Sequence, residues 1–182
     1  MQNSSVASVL SPVTSTVLVV PQGLFVVEDH FKTSLEAQPE IPFAWVEHMF
    51  RQCFNPEDRV TDEYVAMGYS ELKKPCSDGM ILDILGGVKR VLSRPAQIYA
   101  LLVQKKRRGD AGLISAEGTS TFYVRDRRKK VWTVNICWHG GRGWMVSMSD
   151  VKNPHLWNPG RRVFFPQSLI SVLGGGIVAY GR

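Results

Sequence analysis

The clearest pattern in the chain is a switch near residue 119 from helical spacing to strict alternation of apolar and polar positions. Alternation with a period of two is typical of strands that bury one face. A charged turn at residues 125–130 and the glycine-rich turn at 140–143 separate three such segments, so the pattern predicts a three-stranded antiparallel meander. Arg162–Pro166 is compatible with a fourth strand. The apolar face is predicted to contain Trp132, Val134, Ile136, Trp138, Trp144, Val146 and Met148.

Three segments between residues 41 and 108 show helical spacing instead. The first is predicted to begin near Ile41 or Pro42 and to end at Asn55–Pro56. The second has Ser77 or Asp78 as a cap and ends at Gly86–Gly87. In the third, Ser93 is the predicted N-cap, Pro95 lies in the first turn, and the helix ends at residues 105–109. These helices are expected to contact the sheet through Val46, Met49, Phe50, Ile98 and Leu101.

These elements predict an α+β fold, in which a three- to four-stranded antiparallel meander in the C-terminal half packs against about three helices from residues 41–108. Residues 1–16 are predicted to be a flexible arm, although residues 13–20 are also compatible with an edge strand. Residues 17–182 are predicted to form a single domain. Its first part, 17–63, is acidic and helical, and its second part, 64–182, is basic and contains helices and the sheet. Residues 64–72 are expected as a short amphipathic stretch.

Size and composition restrict the class of protein. A chain of 182 residues with 44% hydrophobic and 21% charged residues needs neither metal nor disulfide to fold. The three cysteines, Cys53, Cys76 and Cys137, are odd in number and far apart, which is typical of reduced thiols. The N-terminus lacks the pattern of a signal peptide, and no apolar stretch reaches the ~20 residues of a membrane helix. We therefore expect a cytoplasmic protein with no cofactor, metal or membrane partner.

Charge is distributed unevenly along the chain. Residues 1–63 contain three basic and nine acidic residues, whereas residues 64–182 contain nineteen basic and seven acidic ones. Four consecutive cations close the third helix, and five of the six residues at 125–130 are cations. Like charges at one hairpin tip repel each other, and a phosphate backbone would relieve that repulsion.

The sequence thus predicts a non-enzymatic, nucleic-acid-binding accessory protein that uses a basic rim without reading base sequence. Tyr123 is added to the rim because it shares the polar strand face with Arg125. The candidate binding residues are Lys105, Lys106, Arg107, Arg108, Tyr123, Arg125, Arg127, Arg128, Lys129, Lys130, Arg142, Arg161 and Arg162.

Two other functions remain open from the sequence. The cationic face is also compatible with an adaptor or inhibitor that docks on an acidic protein partner. Cys137 and His139 lie two residues apart on one strand face and are the only pair that suggests a small enzyme, with Asp150 or His155 as a third group. No known catalytic motif accompanies them, so a non-enzymatic role is the expectation.

The segment from FYVRD to GRRVFF also contains two tryptophan-bearing strands and the sequence DVKNPHLW. This stretch resembles a module of uncharacterised small bacterial proteins. The resemblance covers about residues 120–166 and implies no activity.

Overall fold

The computed structural model describes residues 9–20, 23–33, 40–54, 58–60, 64–109 and 113–167. Strands dominate these residues, and the helices between them are short except for the last. The strands are β1 (Thr14–Val19), β2 (Gly23–Phe25), β3 (Phe43–Val46), β4 (Asp58–Val60), β5 (Tyr64–Glu71), β6 (Cys76–Ser77), β7 (Leu92–Ser93), β8 (Thr119–Arg125), β9 (Val131–Trp138), β10 (Trp144–Asp150), β11 (Leu156–Trp157) and β12 (Arg162–Gln167). The helices are α1 (Val27–His30), α2 (His48–Phe54), α3 (Asp78–Ile84), α4 (Val88–Val91) and α5 (Pro95–Arg108).

Eight strands form one mixed sheet in the order β1-β5-β12-β8-β9-β10-β3, with β7 beside β8. The antiparallel meander β8-β9-β10 is present as predicted. β12 is also a strand, but it lies parallel to β8 and antiparallel to β5 instead of extending the meander. The predicted three- to four-stranded meander packed on three helices is therefore wrong. Strands and helices together still fit an α+β protein in the broad sense.

Both faces of the sheet are covered. The first face carries α5, α1 and α2 over a large apolar core. Of the seven residues predicted to form the apolar face of the meander, six are buried and Trp138 is half-buried. The second face carries α3, α4 and the small ribbon of β6 and β11, packed on a separate apolar cluster. Residues that alternate to the polar side of β8 and β9 are therefore not all exposed to solvent.

The helix predicted from residue 41 is wrong in its first half. Phe43–Val46 pairs with β10 as a parallel edge strand, and only His48–Phe54 is helical. A register shift in this pairing brings both Phe43 and Val46 into the core, three residues apart, which imitates helical spacing. Met49 was expected on the buried face but is 43% exposed.

The N-terminal half also contributes more to the sheet than predicted. Residues 64–72, expected as a short amphipathic stretch, contain the inner strand β5, which pairs with β1 on one side and β12 on the other. Residues 9–16, part of the predicted arm, include the start of β1, and Leu10 is buried. The rest of that arm, residues 1–8, and the tail from residue 168 lie outside the described residues.

Two predicted helices have the expected ends. The Ser77 hydroxyl accepts a hydrogen bond from the Met80 N–H at the start of α3, and Gly86 and Gly87 end this helix with positive φ. Helix α5 begins with Pro95 and ends at Gly109, as predicted. Its N-cap, however, is Arg94 and not Ser93. Ser93 belongs to β7, where it pairs with Val124 of β8.

Candidate nucleic-acid interface

A tight turn between β8 and β9 holds the largest cluster of cations. The Asp126 and Lys129 N–H groups donate to the Lys130 and Asp126 carbonyls at 2.8 and 3.1 Å. The Asp126 carboxylate accepts from the Lys130 N–H and from Trp132 Nε1, both at 2.9 Å. The only acidic residue of the turn is thus bonded inside it, and the cations around it point outward.

Four of the five cations in this turn are available for a ligand. Arg125, Arg127, Arg128 and Lys129 are exposed, and none of them forms an ion pair or hydrogen bond through its side chain with another described residue. Lys130 differs, because its Nζ lies 2.7 Å from Asp150 Oδ2 and 3.8 Å from the centroid of the Trp132 ring. We call the four available cations the hairpin cluster.

A cavity of about 530 Å³ lies beside the hairpin cluster. Three cations of the cluster, Arg125, Arg127 and Lys129, line it together with Arg94 at the start of α5. The rest of the wall includes the apolar side chains of Phe54, Leu92 and Val124. Because the N-terminus of a helix carries partial positive charge, helix α5 adds to the field of these cations. This cavity is suited to an anion.

The cations at the other end of α5 lie away from this cavity. Helix α5 has 14 residues, so Lys105–Arg108 lie about 20 Å from Arg94 along its axis. There Lys105 and Lys106 line a second hollow with Trp138 and Trp144, beside the turn that contains Arg142. Two of these cations are engaged by Glu40: Lys106 Nζ donates to its backbone carbonyl at 2.6 Å, and Arg107 Nη2 lies 4.0 Å from its carboxylate. The structure thus separates the predicted basic rim into two clusters.

Arg161 and Arg162 are both bound to the protein itself. Arg161 Nη1 donates to Thr121 Oγ1 at 2.7 Å and to Asn135 Oδ1 at 2.6 Å, and its guanidinium lies 4.0 Å from the centroid of the Trp157 ring. Arg162 donates to the Leu113 carbonyl at 2.8 Å and lies over the Tyr69 ring. These contacts leave both arginines less free than the hairpin cluster to follow a ligand.

Tyr123 is fully buried, contrary to the exposure that was expected for base stacking. It does share a strand face with Thr133, as the alternation indicated, but α3, α4 and the β6–β11 ribbon cover that face. Burial first, and then the Asp78 carboxylate, raise the pKa of the Tyr123 hydroxyl. Tyr123 therefore belongs to the interior and not to a surface for nucleic acid.

The partner of Tyr123 is a buried carboxylate that the sequence did not reveal. Asp78, only 1% exposed, accepts hydrogen bonds from Tyr123 Oη at 2.8 Å, Trp157 Nε1 at 2.8 Å and Thr133 Oγ1 at 3.0 Å. Burial lowers the pKa of Arg161, and the negative charge of Asp78 opposes that shift. The network links α3, the sheet and the β6–β11 ribbon, so its role is to hold these elements together.

The structure does not join Asp150 or His155 to the candidate catalytic pair of Cys137 and His139. Cys137 pairs with Met145, whereas Asp150 pairs with Trp132, five residues further along β10 and about 17 Å away. Asp150 is bound to Lys130, and the His155 ring packs on Trp157. Within the described ranges, no three His, Cys, Asp or Glu side chains are grouped so that they could hold a metal ion.

All three cysteines are free thiols, as expected. Cys76 is buried, and Cys53 and Cys137 are both half-buried. Burial, followed by the charge of Asp126, raises the pKa of the Cys53 thiol. Cys53 therefore adds no negative charge to the cavity that it helps to line.

We expect the free energy of unfolding to fall as pH rises above 10. Burial, with the charge of Glu40 and a hydrogen bond to it, raises the pKa of Tyr99 to about 12, and the pKa of Tyr123 is raised as well. Both stay protonated in the fold at a pH where unfolded tyrosine, with a pKa near 10, loses its proton, so high pH favours unfolding. Urea titrations at pH 8, 10 and 11 test this, and Tyr99→Phe should reduce the decline. Equal stability at pH 8 and 11 would contradict these shifts.

Comparison with known proteins assigns the chain to no family. Its sequence matches no protein-family model, and neither a curated protein nor a solved structure gives a match. The resemblance of residues 120–166 to bacterial proteins thus stays a prediction. Among the described residues, the helices are too short or too polar to cross a membrane.

Proposed function

We propose that this protein binds nucleic acid through the hairpin cluster, by contacts with phosphates and without reading base sequence. The observation that carries the proposal is the meeting of three cations of the hairpin cluster, Arg125, Arg127 and Lys129, with the N-terminal end of α5 around one cavity. Neutralising phosphates with Lys and Arg releases counterions, which supplies most of the free energy of non-specific binding.

The shape of the hairpin supports this function. The Asp126 bonds fix the turn, so the cations are held at one place and are not spread over a mobile loop. Like charges concentrated in this way weaken the fold unless an anion binds them. Contacts to phosphate position a protein on nucleic acid but carry no sequence information. Of the described residues that line the cavity, none is an exposed aromatic that could stack on bases.

An acidic protein partner remains the second candidate, because the same cations would attract carboxylates. The concave site beside the hairpin favours phosphate over such a partner. A phosphate group projects from its backbone, presents several acceptor oxygens and fits the N-terminal end of a helix. Carboxylates on a flat protein surface would reach the exposed cations but not the cavity.

The proposal predicts salt-dependent binding to both duplex and single-stranded nucleic acid. Fluorescence anisotropy with labelled 20-mers of two unrelated sequences should give similar affinities for both sequences at each salt concentration. The logarithm of the association constant should fall linearly with the logarithm of salt concentration, with a slope of about 0.9 per phosphate contact on duplex DNA. Undetectable binding at low salt would reject this function and favour the acidic partner.

A further inference from the structure

The Ser93 side chain in the cavity wall has an unsatisfied hydroxyl. Ser93 is 3% exposed and lines the cavity, yet its Oγ has no hydrogen-bond partner in the described part of the chain. A hydroxyl without a partner in a buried position is costly, because it loses its bond to water and gains nothing. Such a group in a native fold indicates that a ligand or a water molecule forms the missing hydrogen bond.

Local structure explains why Ser93 is not used as a helix cap. The adjacent residue Arg94 is the N-cap of α5, and its N–H donates to Gln97 Oε1 at 2.9 Å. Ser93 instead continues β7, paired with Val124, which lines the same cavity. The hydroxyl therefore lies beside the positive end of a 14-residue helix without serving that helix.

The remaining groups in the wall fit an anion with more than one charge. Arg94, Arg125, Arg127 and Lys129 line the cavity. Among the described residues of its wall, Asp126 is the single carboxylate, and it is bonded to the Lys130 N–H and to Trp132 Nε1. The volume of about 530 Å³ is within the usual range for sites that hold small molecules.

We infer that this cavity binds a phosphate monoester, on a free nucleotide or at the end of a nucleic-acid strand, with Ser93 and Arg94 among its donors. The inference rests on the proposed function for the strand-bound form. A phosphate monoester carries up to two negative charges near neutral pH and has three free oxygens. Each phosphate inside a strand carries one negative charge and has two free oxygens. A terminal phosphate is bonded to the strand on one side only, so it can also enter the cavity more deeply than a phosphate that is bonded on both sides.

The test compares strands that differ only at one end. Single strands of one sequence, with a phosphate or a hydroxyl at the 5′ end and separately at the 3′ end, are titrated with the protein at fixed salt. We expect one phosphorylated end to bind about tenfold more tightly than its hydroxyl counterpart, as one additional charge-assisted hydrogen bond would give. In a parallel experiment without any strand, a nucleoside monophosphate and its nucleoside are each titrated with the protein.

Ser93→Ala should abolish the preference for the phosphorylated end and leave the affinity for the hydroxyl-ended strand unchanged. Its thermal stability should equal or exceed that of the wild type, because the hydroxyl that is lost forms no bond. Ser149→Ala is the matched control. The Ser149 hydroxyl is also buried without a partner, but it lies on β10 and not in the cavity wall, so this variant should keep the full preference.

The outcomes separate this inference from the proposed function. Strands that bind equally with either end, together with equal binding of the nucleoside monophosphate and its nucleoside, overturn the inference and leave the proposed function standing. A preference that survives in Ser93→Ala also overturns the assignment to this cavity. If no strand binds but the nucleoside monophosphate does, in a Ser93-dependent manner, the cavity is confirmed and the nucleic-acid function fails. Binding of none of these probes rejects both.

Discussion

Replacing Asp78 with alanine is expected to lower the free energy of unfolding by about 3–5 kcal/mol. The substitution leaves the Tyr123 hydroxyl, the Trp157 indole N–H and the Thr133 hydroxyl without their acceptor in the interior. Each unsatisfied buried donor costs about 1–3 kcal/mol, and loss of the buried charge offsets part of the sum. Urea unfolding followed by circular dichroism measures the change.

Two further variants show whether the buried network is responsible. Asp83→Ala removes an exposed carboxylate from the same helix and should change the free energy of unfolding by no more than ~0.5 kcal/mol. Asp78→Asn keeps one acceptor oxygen and should lie between the wild type and Asp78→Ala. If Asp78→Ala and Asp83→Ala are equally mild, the hydrogen bonds to Asp78 do not stabilise the fold as described.

Gly143→Ala is expected to destabilise the protein by roughly 2–5 kcal/mol. Gly143 has a φ of +121°, and a Cβ at this position would lie 2.6 Å from the Pro42 carbonyl oxygen and 2.9 Å from the Ala44 nitrogen. Both atoms belong to backbone that cannot rotate away as a side chain would. Overpacking costs about 1–3 kcal/mol, and a left-handed conformation adds about 1–2 kcal/mol.

Gly141→Ala separates the two contributions to this loss. Gly141 lies in the same turn with a φ of +82°, but a Cβ there would meet no atom within 4 Å. Thermal or urea unfolding of this variant should therefore show only the conformational cost, about 1–2 kcal/mol. Equal losses for both variants would mean that the contact between β3 and the turn is looser than described.

The meander was predictable because its signal is local. Alternation in β8, β9 and β10 fixes which residues share a face, and the turns at 125–130 and 140–143 fix the pairing order. The ends of α3 and α5 were equally clear, since Ser77, Gly86 and Gly109 act on neighbouring backbone. These features depend on residues close together in sequence.

The rest of the sheet depends on pairings between distant segments. β5 lies between β1 and β12, about 50 and 100 residues away in the chain, and its sequence alone does not reveal that position. β3 was mistaken for a helix because a register shift buries Phe43 and Val46 at a spacing of three. Local propensity gives way to such tertiary pairing.

The candidate site was partly visible for the same reason. The run of cations at the β8–β9 turn is a local feature, and the structure places it at an exposed tip. That α5 directs its N-terminus to this tip, and its four C-terminal cations away from it, follows from three-dimensional packing. Asp78 and Ser93 were predicted from the sequence as ordinary helix caps. The structure shows instead that both side chains are buried.

The most direct test of the hairpin cluster as the interface compares two fourfold charge variants. In the first variant, glutamine replaces Arg125, Arg127, Arg128 and Lys129, which lie near the N-terminus of α5. In the second, glutamine replaces Lys105, Lys106, Arg107 and Arg108 at its C-terminus. Both variants therefore lose the same charge. Each is titrated with duplex DNA over a range of salt concentrations. We expect the hairpin variant to bind much more weakly, with a slope reduced by about 0.9 per lost contact, while the other variant retains most of the affinity and slope. Equal weakening in both variants, or a larger loss in the second, would contradict this expectation.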